Sequence, residues 1–506
     1  MRRILPSLLV ALPLLSWAQQ GPAATAKAPE DKRRLEFHIT GVSKDTVLLA
    51  SYYGNKLYYA DTALADAKGR VVFDRAKGYK PGVYAVVLKK SNYFEFLVNE
   101  PEVVMATDTT DLNGHLAVTR SEENKLFLDY VRFITDKRKE AEQLSKDAPQ
   151  DAAGKKALAE RLKAIDKEVN SYQAALVAKA PNTLAATIVR MSTAIPPIEI
   201  RKADGSVDSL ASYYAYREHF WDNTDLSDER ILRTPVFQNK FEEYIGKVIP
   251  QIPDTINKWA DDLVHRMDHS DELFKFAVNM ITAKYEASKI MGMDAVFVHM
   301  ILTYYAPDAN GKSRAFWMPK DKLDLVVEHA KKAEPVLIGK QAMQIVLPDT
   351  TEENWIDLYR LPQEYVLLVF WDPHCGHCKK ELPELARTYK EKLKPMGIEV
   401  FAVAHAADSV LFHDWKAFIK DNDLIWVNVG LPWHVYNAAK ADPGRFIPKI
   451  TTLNSLNYAT AWDIETTPRM FLLDGDRKII AKQLDGDQIA DLVTSLQKRK
   501  AAAAKP

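Results

Sequence analysis

Cysteine is nearly absent from this 506-residue chain, which has two, Cys375 and Cys378. Without a third or fourth thiol there is no cysteine-built structural zinc site, and without a second pair there is no stapling disulfide. Net charge is absent as well. The 68 basic residues balance 68 acidic ones, so the composition calls for no nucleic-acid or anionic-membrane partner. There is no internal repeat and no expected membrane span in the mature chain. The apolar run Ile4–Trp17 follows Met1-Arg2-Arg3 and ends at Ser16-Trp17-Ala18, with small residues at the cleavage-determining positions. That pattern predicts a secretory signal peptide over residues 1–18, too short and wrongly flanked to span a bilayer. No cysteine follows it, so a lipid anchor is not suggested, and Ala501–Pro506 is no ER-retention signal. The expected setting is the periplasm of a bacterial envelope, where dedicated proteins run thiol chemistry.

What is present is a 47% apolar composition, ample for real cores, and a length that suggests several domains. Residues 19–34 read as a polar tether. Over residues 35–119 short β-type runs recur: Leu35–Ile39, Thr46–Leu49, Arg70–Phe73, Val83–Leu88, Tyr93–Leu97 and Glu102–Met105. Turn formers such as Tyr53-Gly54-Asn55 and Pro81-Gly82 separate them, which predicts a small antiparallel sandwich or barrel. Residues 120–335 turn helical, opening at Ser121 as N-cap, with a charged helical hairpin over 136–179. From 336 to 500 apolar strands alternate with helices, as in an α/β sheet buried on both faces. Residues 501–506 read as a disordered tail. The expected fold class is thus multidomain: a β domain, a mostly α-helical domain and a C-terminal α/β domain.

The two cysteines sit in Trp371-Asp372-Pro373-His374-Cys375-Gly376-His377-Cys378, between the strand candidate Tyr365–Phe370 and a helix. A C-x-x-C at such a junction reads as a redox dithiol. At a helix start, free backbone N–H groups and the macrodipole favour a Cys375 thiolate, the expected nucleophile. Cys378, one turn on, is placed to resolve a mixed disulfide. His377 could donate a hydrogen bond or positive charge to that thiolate, making the pair a moderate oxidant. Glu381 lies three residues past Cys378, on the same helix face, where a carboxylate could raise the Cys378 pKa or be an ordinary solvated acid. Pro383 should kink the helix. Thr467-Pro468 precedes the strand candidate Arg469–Leu473, and either a cis bond or a trans strand-opening proline would fit there.

Together, Val369-Phe370-Trp371, Cys375-Gly376-His377-Cys378, Lys379-Lys380-Glu381, Pro383 and Thr467-Pro468 resemble the TlpA/ResA type of thioredoxin-fold protein. The resemblance covers residues 336–500 and implies a thiol-disulfide oxidoreductase with protein thiol or disulfide partners and no cofactor. A membrane electron donor would be one candidate partner. The resemblance also implies Cys375 as attacking thiol, Cys378 as resolving thiol, Glu381 as active-site acid and Pro468 in cis, with Trp371, Gly376, His377 and Thr467 supporting. The chain departs from it in three places. Val369 stands where thioredoxin has a buried Asp, His374 replaces an aromatic, and 432–461 is long for its loop, as a lid, partner surface or elaboration. The segments before it resemble accessory domains fused to such modules.

Two other readings compete. His374, Cys375, His377 and Cys378 could serve a copper chaperone, although helix geometry turns His377 away from the thiol face. The chain could also be a binding scaffold carrying a redox module. A peroxidase reading is weaker, because Pro373 lies only two residues before Cys375 and the Pro-x-x-x-Thr-x-x-Cys arrangement is absent.

Overall fold

The computed structural model describes residues 32–89, 92–149 and 151–503. The expected signal peptide lies outside them. The chain divides into two compact units, one of residues up to 249 with 265–274, the other of 250–264 with 275 onward. Described helices between residues 120 and 335 fall in both units.

In the first unit the described strands are β1 (Arg34–Thr40), β2 (Thr46–Tyr53), β3 (Lys56–Leu64), β4 (Arg70–Phe73), β5 (Gly82–Val87), β6 (Tyr93–Val98), β7 (Glu102–Asp108) and β8 (Ala117–Arg120). They form sheets of order β4-β1-β7-β8 and β3-β2-β5-β6. Pairing is antiparallel except between β1 and β7, which run parallel. Strands β1, β4 and β7 bury alternate residues, as one-sided burial requires, whereas β5 is buried at five of its six positions. Leu35, Phe37 and Ile39 point inward, where Phe37 meets the rings of Phe73, Phe94 and Phe96 at 6.1, 5.7 and 4.9 Å. Ser121 caps the helix Glu122–Asp147, its Oγ accepting from the Asn124 amide at 3.0 Å. A second helix, Ala152–Lys179, completes the charged hairpin.

The second unit carries β9 (Val346–Pro348), β10 (Trp355–Asp357), β11 (Tyr365–Trp371), β12 (Ile398–Ala404), β13 (Val427–Gly430), β14 (Arg469–Leu473) and β15 (Ile479–Lys482). Its main sheet has the order β13-β12-β11-β14-β15, with β11 parallel to β12 and antiparallel to β14. All seven residues of β11 are buried. Leu367, Val369 and Trp371 pack into one core with Leu382, Trp415 and Val493. Val366, Leu368 and Phe370 pack into another with Phe446, Leu456 and Trp462. The second core accounts for the long stretch 432–461. It folds into short helices, Trp433–Ala441, Pro443–Phe446, Leu453–Leu456 and Tyr458–Ala461, that cover one sheet face rather than forming a lid. The closing helix, Gly486–Ala503, runs three residues into the segment expected as a tail, since alanine has the highest helix propensity.

Candidate active site

The site is built where β11 ends. Asp372 and Pro373 turn the chain: the Asp372 carbonyl accepts from the Cys375 amide at 3.1 Å, and its Oδ1 accepts from the His374 amide at 2.7 Å. Asp at the first and Pro at the second place of a turn suit its backbone geometry. Cys375 is then the N-cap of the helix Gly376–Thr388, with φ −70° and ψ 124°. Its side chain makes no capping bond, and its sulfur stays available for chemistry. The helix passes through Pro383 and widens into a π turn at Tyr389–Leu393.

Both cysteines are free thiols, with Cys375 half-buried and Cys378 fully buried. The Cys375 Sγ lies 3.2 Å from the Thr467 carbonyl oxygen, 92 residues away in sequence. The Thr467–Pro468 bond is cis. Burial is the largest single influence on Cys375 and pushes its pKa up. Hydrogen bonds from the Thr467 side chain and the backbone of Cys378 and His377 outweigh it, and the net direction is down. Cys378 goes the other way. Burial pushes it up to about 12, against the backbone of Asp372 and the Thr467 side chain. One half-buried, readily ionised thiol beside one sealed, protonated thiol is the division that attack and resolution need.

The other expected residues are brought together unevenly. Trp371 is buried beside Phe418, ring centroids 5.1 Å apart, and its carbonyl accepts from the His405 amide at 2.9 Å. A Cβ at Gly376 would meet nothing within 4 Å, so the approach to the helix start is open. His377 is exposed, and its contribution to Cys375 comes from its backbone amide rather than its ring. Glu381 is exposed while Cys378 is sealed, so sharing a helix face does not put the carboxylate on that thiol.

A residue that sequence pattern did not single out joins the site. Asp414, on the helix Ser409–Asp421, accepts from His374 Nε2 through Oδ2 at 2.7 Å and meets His413 Nδ1 through Oδ1 at 3.2 Å. Those contacts, His374 first, hold its carboxyl below the ordinary value. The pair is separated by 40 residues. The only signal in the sequence was the histidine standing where an aromatic is usual. Among the described residues, no three His, Cys, Asp or Glu side chains are grouped as a metal ion would require.

Residues 338–481 match the AhpC/TSA family model, and residues 177–318 match a domain of unknown function, DUF5106. The chain is 35% identical over 82 residues to the thiol-disulfide oxidoreductase ResA of Bacillus subtilis, covering 16% of this chain and 45% of that one. The chain thus spans less than half the length of that relative. To the ResA of Bacillus thuringiensis subsp. konkukian it is 28% identical over 169 residues, 33% of this chain and 81% of the relative. A solved domain of a possible thiol-disulfide isomerase from Cytophaga hutchinsonii is 26% identical, with a TM-score of 0.26, over 33% of this chain and 97% of that one.

Proposed function

Starting from a C-terminal thioredoxin-like domain of the AhpC/TSA family, we propose that this protein is a thiol-disulfide oxidoreductase of the cell envelope acting on protein partners. The observation that carries the reading is the split between the thiols, Cys375 displaced down and Cys378 displaced up to about 12. In the reducing direction the Cys375 thiolate attacks one sulfur of a substrate disulfide. The substrate S–S bond breaks, a Cys375–substrate disulfide forms, and the other substrate sulfur leaves with the electron pair and takes a proton. Cys378 then loses its proton and displaces the substrate's bound sulfur. The products are a Cys375–Cys378 disulfide and a substrate dithiol, two electrons having passed to the substrate. The oxidising direction is the reverse. Burial of Cys378 keeps it protonated until a mixed disulfide disturbs its surroundings, so premature closure is slow. Trp371 supports the turn, Thr467 borders the sulfur, and the cis Pro468 stands at the entry of β14 beside it.

A Cys378→Ser variant tests this. It should trap partners from envelope extracts as mixed disulfides through Cys375, released by dithiothreitol, whereas Cys375→Ser traps none. Absence of covalent partners, together with no reversible two-electron transition against glutathione, would overturn the reading.

A further inference from the structure

We propose that the hollow in the first unit binds an extended segment of a partner polypeptide, which adds a strand to the free edge of β6 beside Glu95. The segment has an apolar residue on each side of the one that meets Glu95, and a lysine or arginine at its ends. The dithiol takes no part, and the site stands whether or not Cys375 attacks a disulfide.

β6 ends the sheet β3-β2-β5-β6, so one of its sides pairs with β5 and the other, among the described residues, with no strand. On the β5 side the Leu88 amide donates to the Asn92 carbonyl at 2.8 Å. The alternation of an antiparallel ladder then turns the N–H and C=O groups of Tyr93, Glu95 and Leu97 to the free side. Leu97 is satisfied there by one side chain. Asn124 Oδ1 accepts its N–H at 2.7 Å, and Asn124 Nδ2 donates to its carbonyl at 2.8 Å. The Asn124 amide, on the helix Glu122–Asp147, thus copies one residue of a neighbouring strand. The Tyr93 carbonyl accepts from Asn113 Nδ2 at 3.5 Å. Between these two, the main-chain groups of Glu95 have no partner among the described residues. An open edge is a template for another chain. This one lies in the wall of the cavity of about 840 Å³ that the helix and the loop 111–116 complete, a volume in the range of ligand sites. A residue paired with Glu95 shares the face of the Glu95 side chain, and its two neighbours share the core face of Phe94 and Phe96. Met105, Leu116 and Leu128 line the cavity on that face, so apolar side chains suit both neighbours. Charge sets the ends. Glu95 Oε1 already accepts from the Tyr52 hydroxyl at 2.6 Å, and Arg132 Nη2 donates to the Leu116 carbonyl at 2.7 Å. That leaves the exposed carboxylates of Asp111 and Asp136 against the single ammonium of Lys139 in the lining, a surplus that favours basic ends.

The probe is the fluorescein-labelled peptide Lys-Val-Thr-Val-Lys, amidated at its C-terminus and titrated into the full chain by fluorescence anisotropy. Paired residues of such a ladder exchange both hydrogen bonds. Methylating the main-chain nitrogen of the central threonine therefore removes the donor to the Glu95 carbonyl while keeping composition and charge, and should weaken binding about 10-fold. Val131→Trp, at a lining position 41% exposed, fills the cavity without entering a core and should weaken the unmethylated peptide by a similar factor. Bound peptide should slow hydrogen exchange at the Glu95 amide and leave unchanged that of Leu97, already held by Asn124. Equal affinity for the two peptides, or no binding of either up to about 1 mM, would overturn the strand addition. A dimer that the peptide dissociates would make a second copy of this chain the occupant. Binding that appears only on removal of residues 1–31 would make the chain's own N-terminal stretch the occupant. Either result would overturn the partner.

Discussion

Strand β1 of the β-sandwich and strand β11 of the C-terminal sheet are buried by opposite rules. Along β1, inward Leu35, Phe37 and Ile39 alternate with half-buried Glu36 and exposed His38. Along β11 every residue is buried, odd positions in one core and even positions in the other. A strand sealed on both faces is held from two sides, and the turn at its end starts from a fixed point. The dithiol sits on that turn. The sandwich, by contrast, has a cavity of about 840 Å³ lined by Tyr93, Phe94, Glu95, Phe127 and Arg132, but no thiol. Chemistry here follows the rigid strand end rather than the hollow.

The comparison is sharpest in neighbouring substitutions. In β11, Leu367→Ala and Leu368→Ala should each cost about 2–5 kcal/mol, because both neighbours lie in cores. In β1, Phe37→Ala should cost about 3–5 kcal/mol, while His38→Ala beside it costs less than about 0.5 kcal/mol. Equilibrium denaturation, with amide exchange followed on the strand concerned, measures all four. A cheap substitution at either leucine would break the contrast.

A smaller effect probes the one cation of β15 sealed into the second unit. Lys482 is 7% exposed, and its ammonium pairs with Asp294 on the helix Asp294–Met300. Its backbone amide also meets Met291 Sδ at 3.3 Å. Asp294→Asn leaves a buried charge without its counter-ion and should cost about 1–3 kcal/mol, discounted because Asp294 is 42% exposed. Lys482→Met removes the charge with its need and should cost less. The reverse order in denaturation would mean that the lysine stem, not its charge, holds the edge.

Much of the C-terminal domain was legible because its signals are local. An unbroken apolar run, a C-x-x-C at its end and a proline before the next strand each sit within a few residues. In the sandwich, β1, β2, β4 and β7 show in their alternation, and β5 and β6 as short apolar runs. β3 was not anticipated, since Lys56–Leu64 carries no buried residue and so has no inward stripe to read. Nor was the parallel pairing of β1 with β7, which depends on how the intervening strands fold away into the other sheet. The apolar run through Leu424, Ile425 and Trp426 becomes strand only from Val427, and Asn428 Nδ2 donates back to the Leu424 and Trp426 carbonyls. At the site, the thiols were visible and Asp414 was not. A pair spanning 40 residues exists only once β12 and its following helix are in place. The imidazole influence expected at His377 falls to its amide, since the ring projects to solvent from the first helical turn.

The smallest expected effect lies on the half-buried outer face of β1, where charge replaces apolar contact. Glu36 receives both Arg70 Nε at 2.7 Å and Arg70 Nη2 at 2.9 Å, with Arg34 and His38 at 3.0 Å. The Arg70 hydrogen bonds, the largest influence, outweigh burial and lower its pKa from 4.5 to about 2. A carboxyl depressed on folding stabilises the native state above its unfolded pKa, and that stability drains away as pH falls through the folded one. The Glu36 contribution is therefore complete above about pH 5 and lost progressively as pH falls through about 2. Arg70 is 42% exposed, so solvent screening limits the contribution to about 1 kcal/mol or less. Glu36→Gln should lower unfolding free energy by that amount at pH 7 and by much less at pH 2, whereas Phe37→Ala should cost several times more at both. If Glu36→Gln cost as much as its inward neighbour, or cost the same at both pH values, β1 would not be one-sided. The contrast with β11 would then be one of composition rather than of burial.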